Sequence, residues 1–150
     1  MKNKSLNYKQ SRNNMEKFDV SVILPIKSSK TLNFGDYFNK AIQSIKNQKL
    51  GINELIIVHT NETSLVEFLN EYDFGDISVV KHEWTKEPNY ANQINYGARS
   101  AKSKWISLFE FDDEYSSIWF KNVQKYVESY PDYDAFLPIV VDTTDKELLQ

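Results

Sequence analysis

The densest chemistry in the sequence is a run of carboxylates, Glu110, Asp112, Asp113 and Glu114, directly after the apolar stretch Trp105-Ile106-Ser107-Leu108-Phe109. In an extended segment side chains alternate, so Glu110 and Asp112 would point to one side. Two convergent carboxylates repel each other unless a cation sits beside them. A hard divalent ion such as Mn²⁺ or Mg²⁺ accepts carboxylate and phosphate oxygens together, and it can neutralise a diphosphate leaving group. The plainer reading is a solvated acidic loop in which Asp113 or Glu114 opens the next helix, because carboxylates suit helix N-termini. Local sequence leaves both open.

Other chemistries are excluded more firmly. The chain has no Cys, which removes disulfides, thiolate metal sites and Cys nucleophiles together. It has no GxxxxGK[ST] loop, no GxGxxG after the first apolar run and no GxSxG elbow. Only two His occur, His59 and His82, neither in a close motif with another ligand type, so a zinc site is not expected. His59 ends an apolar run and reads equally as a ligand contact or as a hydrogen-bonded structural histidine.

The elements that would position these groups alternate between strand and helix. Apolar, β-branched runs mark strands at 19–25, 54–59, 77–80, 105–109 and 135–141. Pro138 lacks a ladder donor, which puts the fifth run at an edge or bulge. Phe34, Phe38, Ala41, Ile42 and Ile45 recur at helical spacing, with Asn33 as the expected cap and Gly51 as the expected stop. Ser64 and Glu67 have capping-box spacing ahead of Leu65, Phe68, Leu69 and Tyr72, and Gly75 ends that unit. Ala91, Ile94, Ala98 and Ala101 give a third helix a small-residue face that can lie close to its sheet. Trp119, Val123, Tyr126, Val127 and Tyr130 mark a fourth, stopped by Pro131. Strands separated by helices imply right-handed crossovers and a mostly parallel sheet, whose ligands bind beyond the carboxyl ends of the strands. The segments at that edge are 25–29, 59–63 and 110–114.

Composition agrees with one folded domain. The chain has 150 residues, 41% hydrophobic and 26% charged, with aromatics at 14% for a core. Its net charge of −3 makes a nucleic-acid partner unlikely to be the rule, and none is expected. No apolar run is long enough to span a bilayer. Residues 1–17 read as a flexible polar arm and 18–150 as the domain. No export signal is recognisable, so a cytoplasmic location is the expectation.

Several segments resemble the family 2 glycosyltransferases of the GT-A fold. Val20-Ser21-Val22-Ile23-Leu24-Pro25 resembles that family's opening strand. Ser44-Ile45-Lys46-Asn47-Gln48 resembles its "S-[IL]-x-x-Q" helix end, and Glu54-Leu55-Ile56-Ile57-Val58 its second strand. Asn95-Tyr96-Gly97, Ala101, Trp105-Ile106 and Leu108-Phe109-Glu110-Phe111-Asp112-Asp113 resemble "N-x-G…A-x-G-x-[YW]-I-x-[FL]-L-D-x-D-D". The resemblance covers about 20–130. It implies an α/β, Rossmann-like domain with a mostly parallel sheet and flanking helices, shortened to the N-terminal, donor-binding part. It also implies transfer of a sugar from a nucleotide-diphosphate donor to a hydroxyl acceptor with Mn²⁺ or Mg²⁺. On the matching positions, Asp112 would meet the metal, with Glu110 near it and near the ribose and sugar. Phe111 lies between the two acids. Pro25, Ile26 and Lys27 would lie beside the base, and Asn95 and Gly97 on the helix that walls the site.

Departures from the pattern are specific. The acidic turn usual after the second strand is His59-Thr60-Asn61-Glu62-Thr63 here. The first acid of the DxD motif is Glu110, one methylene longer. Gln93 replaces a small residue, and Asn89 the usual Gly ahead of the third helix. Only 38 residues follow Asp112, fewer than an acceptor-binding and base-bearing segment needs. Asp142 and Asp145 are better read as solvated than as a base. A catalytically inactive donor-binding or protein-interaction domain is the alternative reading. A shortened sheet would leave apolar surface for a partner chain or self-association.

Overall fold

The computed structural model describes residues 16–140. Four strands, β1 (Lys17–Ile26), β2 (Gly51–Thr60), β3 (Val79–Trp84) and β4 (Trp105–Leu108), alternate with four helices, α1 (Phe34–Lys46), α2 (Thr63–Glu71), α3 (Tyr90–Ser100) and α4 (Trp119–Ser129). The sheet is parallel throughout, in the order β3-β2-β1-β4. The chain builds outward from β1 to β3 and then returns to the far side of β1. A right-handed crossover that reverses direction must change face, so α3 lies opposite α1 and α2.

The two faces differ in depth. Val20, Val22, Leu24, Ile26, Leu55 and Ile57 turn toward α1, α2 and α4 and join the main core with Phe38, Ile42, Leu65 and Phe120. Ile23, Ile56 and Val58 form a thin second core beneath α3. The β1 and β2 runs are buried on both faces, which is why they read as continuous apolar stretches. Gly97 lets α3 approach: a Cβ there would stand 2.6 Å from Ile23 Cγ2 and 3.2 Å from Val58 Cγ2. The close approach expected of the small-residue face is thus made by Gly97, next to buried Gln93, while Ala91 is exposed.

Several local expectations are corrected. Asn33 precedes α1 with φ 59° and makes no side-chain cap. Asn47 closes that helix, and Gly51 instead opens β2, paired with Lys17. Lys17, assigned to the arm, is therefore the first residue of β1; residues 1–15 lie outside the description. Ser64 is inside α2, and its hydroxyl donates to Glu62 at 2.8 Å, so no capping box with Glu67 sets that helix start. The third strand runs over 79–84, because its alternation of exposed Lys81 and Glu83 with half-buried His82 and Trp84 suits an outer strand. Residues 135–140 form no strand. Phe136 packs on Trp105 and Tyr126, at 5.6 and 6.4 Å between centroids, and Leu137 and Ile139 stay exposed. Pro138 cannot donate to a ladder. Val141, Asp142 and Asp145 fall outside the described residues.

Candidate functional site

The order of the strands reverses between β1 and β4, and ligands in open parallel sheets bind at such a point, beyond the carboxyl ends. Three loops meet there: 27–33 after β1, 61–62 after β2 and 109–118 after β4.

The first two loops are tied by one carboxylate. Glu62 accepts the hydroxyls of Ser28 and Ser29, both at 2.6 Å, the Ser29 amide at 3.3 Å and the Ser64 hydroxyl at 2.8 Å. The Ser28 and Ser29 hydroxyls hold this carboxyl down at about 2, against the opposing effect of burial. The Thr60 hydroxyl adds a bond to the Lys27 carbonyl at 2.8 Å. Beneath them, the buried Gln93 amide donates to the carbonyls of Val58 (3.0 Å) and Ile26 (3.3 Å), a side-chain clamp across the ends of both strands. Gln93 read in sequence as a departure from a small residue; here it joins α3 to both strand ends. Glu62 stands three residues beyond the apolar run 54–59, where no local pattern marks it as a tie.

The third loop is different. Phe109 donates to the Ile23 carbonyl at 3.0 Å, extending β4 along β1 for one more bond. The chain then turns: the Asp113 amide donates to the Glu110 carbonyl at 3.2 Å. This is a tight turn rather than an extended run, so alternation does not govern where Glu110 and Asp112 point. Phe111 turns inward onto Phe34 at 5.1 Å and anchors the turn. Glu110, Asp112 and Asp113 stay exposed. Glu110 accepts the Tyr90 hydroxyl at 3.0 Å. Burial foremost, and then the Glu110 carboxylate, push the Tyr90 hydroxyl up to about 12, so it remains a donor at neutral pH. Burial, and then the charges of Glu110 and Asp112, raise the Asp113 carboxyl. Crowded, outward carboxylates of this kind suit a hard cation, although among the described residues no preformed group of three or more Asp, Glu or His ligands exists.

The remaining residues expected at the site divide. Pro25 and Ile26 are buried ladder residues, opposite Val58 and His59, while Lys27 is exposed at the mouth. His59 is buried, with Nδ1 2.8 Å from the Thr60 carbonyl. A carbonyl only accepts, so Nδ1 carries the proton. Asn95 is exposed on α3 and lines a cavity with Trp84, Lys86 and Arg99, at the flank of β3. The Ser28–Glu62 tie and the acidic turn thus lie at the switch point, with Asn95 to one side. No helix among the described residues is long and apolar enough to cross a membrane.

The model described as Glycosyl transferase family 2 matches residues 21–148. No curated protein matches the chain. Among solved structures, the chain is similar to Staphylococcus aureus TarS 1-349, with a TM-score of 0.59 and 15% identity over 81% of this chain and 39% of that one. It is similar also to the same protein in complex with UDP-GlcNAc, with a TM-score of 0.61 and 14% identity over 81% and 37%. A complex with UDP gives 0.56 and 16% over 81% and 38%. The chain therefore spans under two fifths of those structures' length, and at this identity the likeness is one of fold.

Proposed function

Because the chain belongs to the family 2 glycosyltransferases, we propose that the switch point between β1 and β4 binds a nucleotide-diphosphate sugar, for transfer of the sugar to a hydroxyl acceptor. The observation that carries this reading is the acidic turn 110–113, which follows β4 at the carboxyl end of the sheet, beside β1. TarS structures hold UDP-GlcNAc and UDP on a similar fold, which makes a uridine donor the first to test.

In this proposal Pro25, Ile26 and Lys27 border the base, and His59 meets base or ribose. Asn95 belongs to the helical wall. Asp112, with Glu110, holds a Mn²⁺ or Mg²⁺ ion. The donor set fits such an ion, being all carboxylate, exposed and gathered in one tight turn. When bound, the ion supplies charge to stabilise a departing diphosphate. The chain's own part is positional. Phe111 pins the turn, Tyr90 orients Glu110, and Glu62 fixes the loop from Lys27 to Ser29.

Calorimetry with UDP, with and without Mn²⁺, tests the reading. Binding that Mn²⁺ strengthens and that Asp112→Ala weakens in its presence is the expected result. No binding by the wild type, or undiminished binding by Asp112→Ala, would refute it. Binding without turnover of UDP-sugars, even by hydrolysis, would favour a donor-binding domain over an enzyme.

A further inference from the structure

The flank of β3 carries a second site. Val80 and Trp84 pack against the thin core beneath α3, yet Gly97 seats that helix over Ile23 and Val58 of β1 and β2. The inward side chains of β3 are therefore left beside the helix rather than under it. The result is a cavity of about 380 Å³, lined by Trp84, Lys86, Glu87, Asn92, Asn95, Tyr96 and Arg99.

Its rings are locked. Tyr96 meets His82 and Trp84 edge-on, at 5.3 and 5.9 Å between centroids. The Trp84 indole N–H donates to the Glu87 carbonyl at 3.0 Å, which fixes the half-buried ring where it lines the cavity. Lys86 Nζ lies 5.9 Å from that ring. A fixed aromatic face suits the apolar C–H face of a sugar ring. Two amides offer both donors and acceptors to hydroxyls. An arginine matches a phosphate or carboxylate with two parallel hydrogen bonds. Lys86 and Arg99 outnumber Glu87, so the cavity wall is positive on a chain whose net charge is −3.

We propose that this cleft is an acceptor subsite for a saccharide bearing phosphate or carboxylate groups. The proposal rests on the donor-site reading above, because α3 is shared: its first residue, Tyr90, holds Glu110, and its outer face lines the cleft. The cleft is separate from the residues proposed to hold the donor, except Asn95.

Tryptophan fluorescence of the full chain, titrated with oligogalacturonate, phosphorylated maltohexaose and neutral maltohexaose, tests it. Both anionic glycans should quench, with the neutral one at least about ten-fold weaker, the factor expected from one hydrogen bond to a charged group. Arg99→Gln should erase that preference and Trp84→Leu should abolish quenching, with UDP binding kept in both. Melting curves identify a variant that has not folded, and Arg99→Gln, on an exposed position, then carries the test. No quenching by any glycan, equal quenching by charged and neutral glycans, or unchanged titrations in both variants would overturn the proposal. Absence of UDP binding in the wild type would instead sink the donor reading, and the acceptor role with it, whatever the glycans do.

Discussion

The two sides of the sheet's mouth handle carboxylates in opposite ways. On the β1–β2 side, Glu62 is saturated by three hydroxyls and an amide. On the β4 side, Glu110 accepts one hydroxyl, that of Tyr90, and Asp112 and Asp113 stand close by in the same turn. A charge with enough donors is favoured in place, whereas burial, and then the neighbouring carboxylates, raise the Asp113 carboxyl. The first side is organised by its own hydrogen bonds; the second is the side proposed to bind a cation. In the proposed function, the first side positions a loop and the second recognises charge.

The largest effect should come from the second side. Asp112→Ala should weaken UDP binding in Mn²⁺ about 100-fold, near 2.7 kcal/mol, with little change when the metal is chelated. Calorimetry in the two conditions separates these outcomes, and an equal loss in both would break the distinction. Next comes Gln93→Leu, which strips the Val58 and Ile26 carbonyls of their shared donor in a buried place. About 2 kcal/mol of stability should go, because two buried hydrogen bonds are lost at roughly 1 kcal/mol each. Urea denaturation measures it. A smaller value would mean water takes the amide's place.

How much of this could be seen in the sequence follows from range. The β1 and β2 runs, the helical stripes and the acidic run are local patterns, and each led to a real element. The resemblance added order to them, and the family match over 21–148 bears it out. What escaped was set by distant partners. Gln93 has meaning only where the ends of β1 and β2 arrive beside it. Glu62 looks like any surface acid until Ser28 and Ser29, more than thirty residues earlier, come within 2.6 Å. The strand expected at 135–141 failed for the complementary reason. An apolar run becomes a strand only with a neighbour to pair with, and 135–140 pack through Phe136 alone. The turn at 110–113 defeated the alternation argument, because one backbone bond to Glu110 outweighs an extended default.

Glu62→Ala should have an intermediate effect, about 1 kcal/mol of stability, since the site is partly solvated and water can replace part of each lost bond. It should also weaken UDP binding equally with and without Mn²⁺, the opposite signature to Asp112→Ala. Acidity separates the sides further. The Glu62 carboxyl is lower in the folded chain, at about 2 against an ordinary 4.5. Its stabilisation is therefore full above about pH 4.5 and fades as pH falls toward 2. Glu62→Gln should flatten the thermal stability profile in that acid window.

The smallest effect belongs to the acid that is raised rather than lowered. Asp113 binds a proton more readily in the folded chain, chiefly through burial and then through Glu110 and Asp112. Its charge therefore costs stability above its ordinary range, a cost relieved as pH falls through its raised value. Asp113→Asn should raise the metal-free melting temperature slightly at neutral pH, by the equivalent of a few tenths of a kcal/mol, since the group is largely solvent-screened. The same substitution should weaken Mn²⁺ binding, because the repulsion it removes is what the ion relieves. Differential scanning fluorimetry with and without Mn²⁺ reads both. A variant that loses stability without metal would show that the turn is held by Asp113 rather than strained by it, and the contrast between the two sides would then fail at this residue.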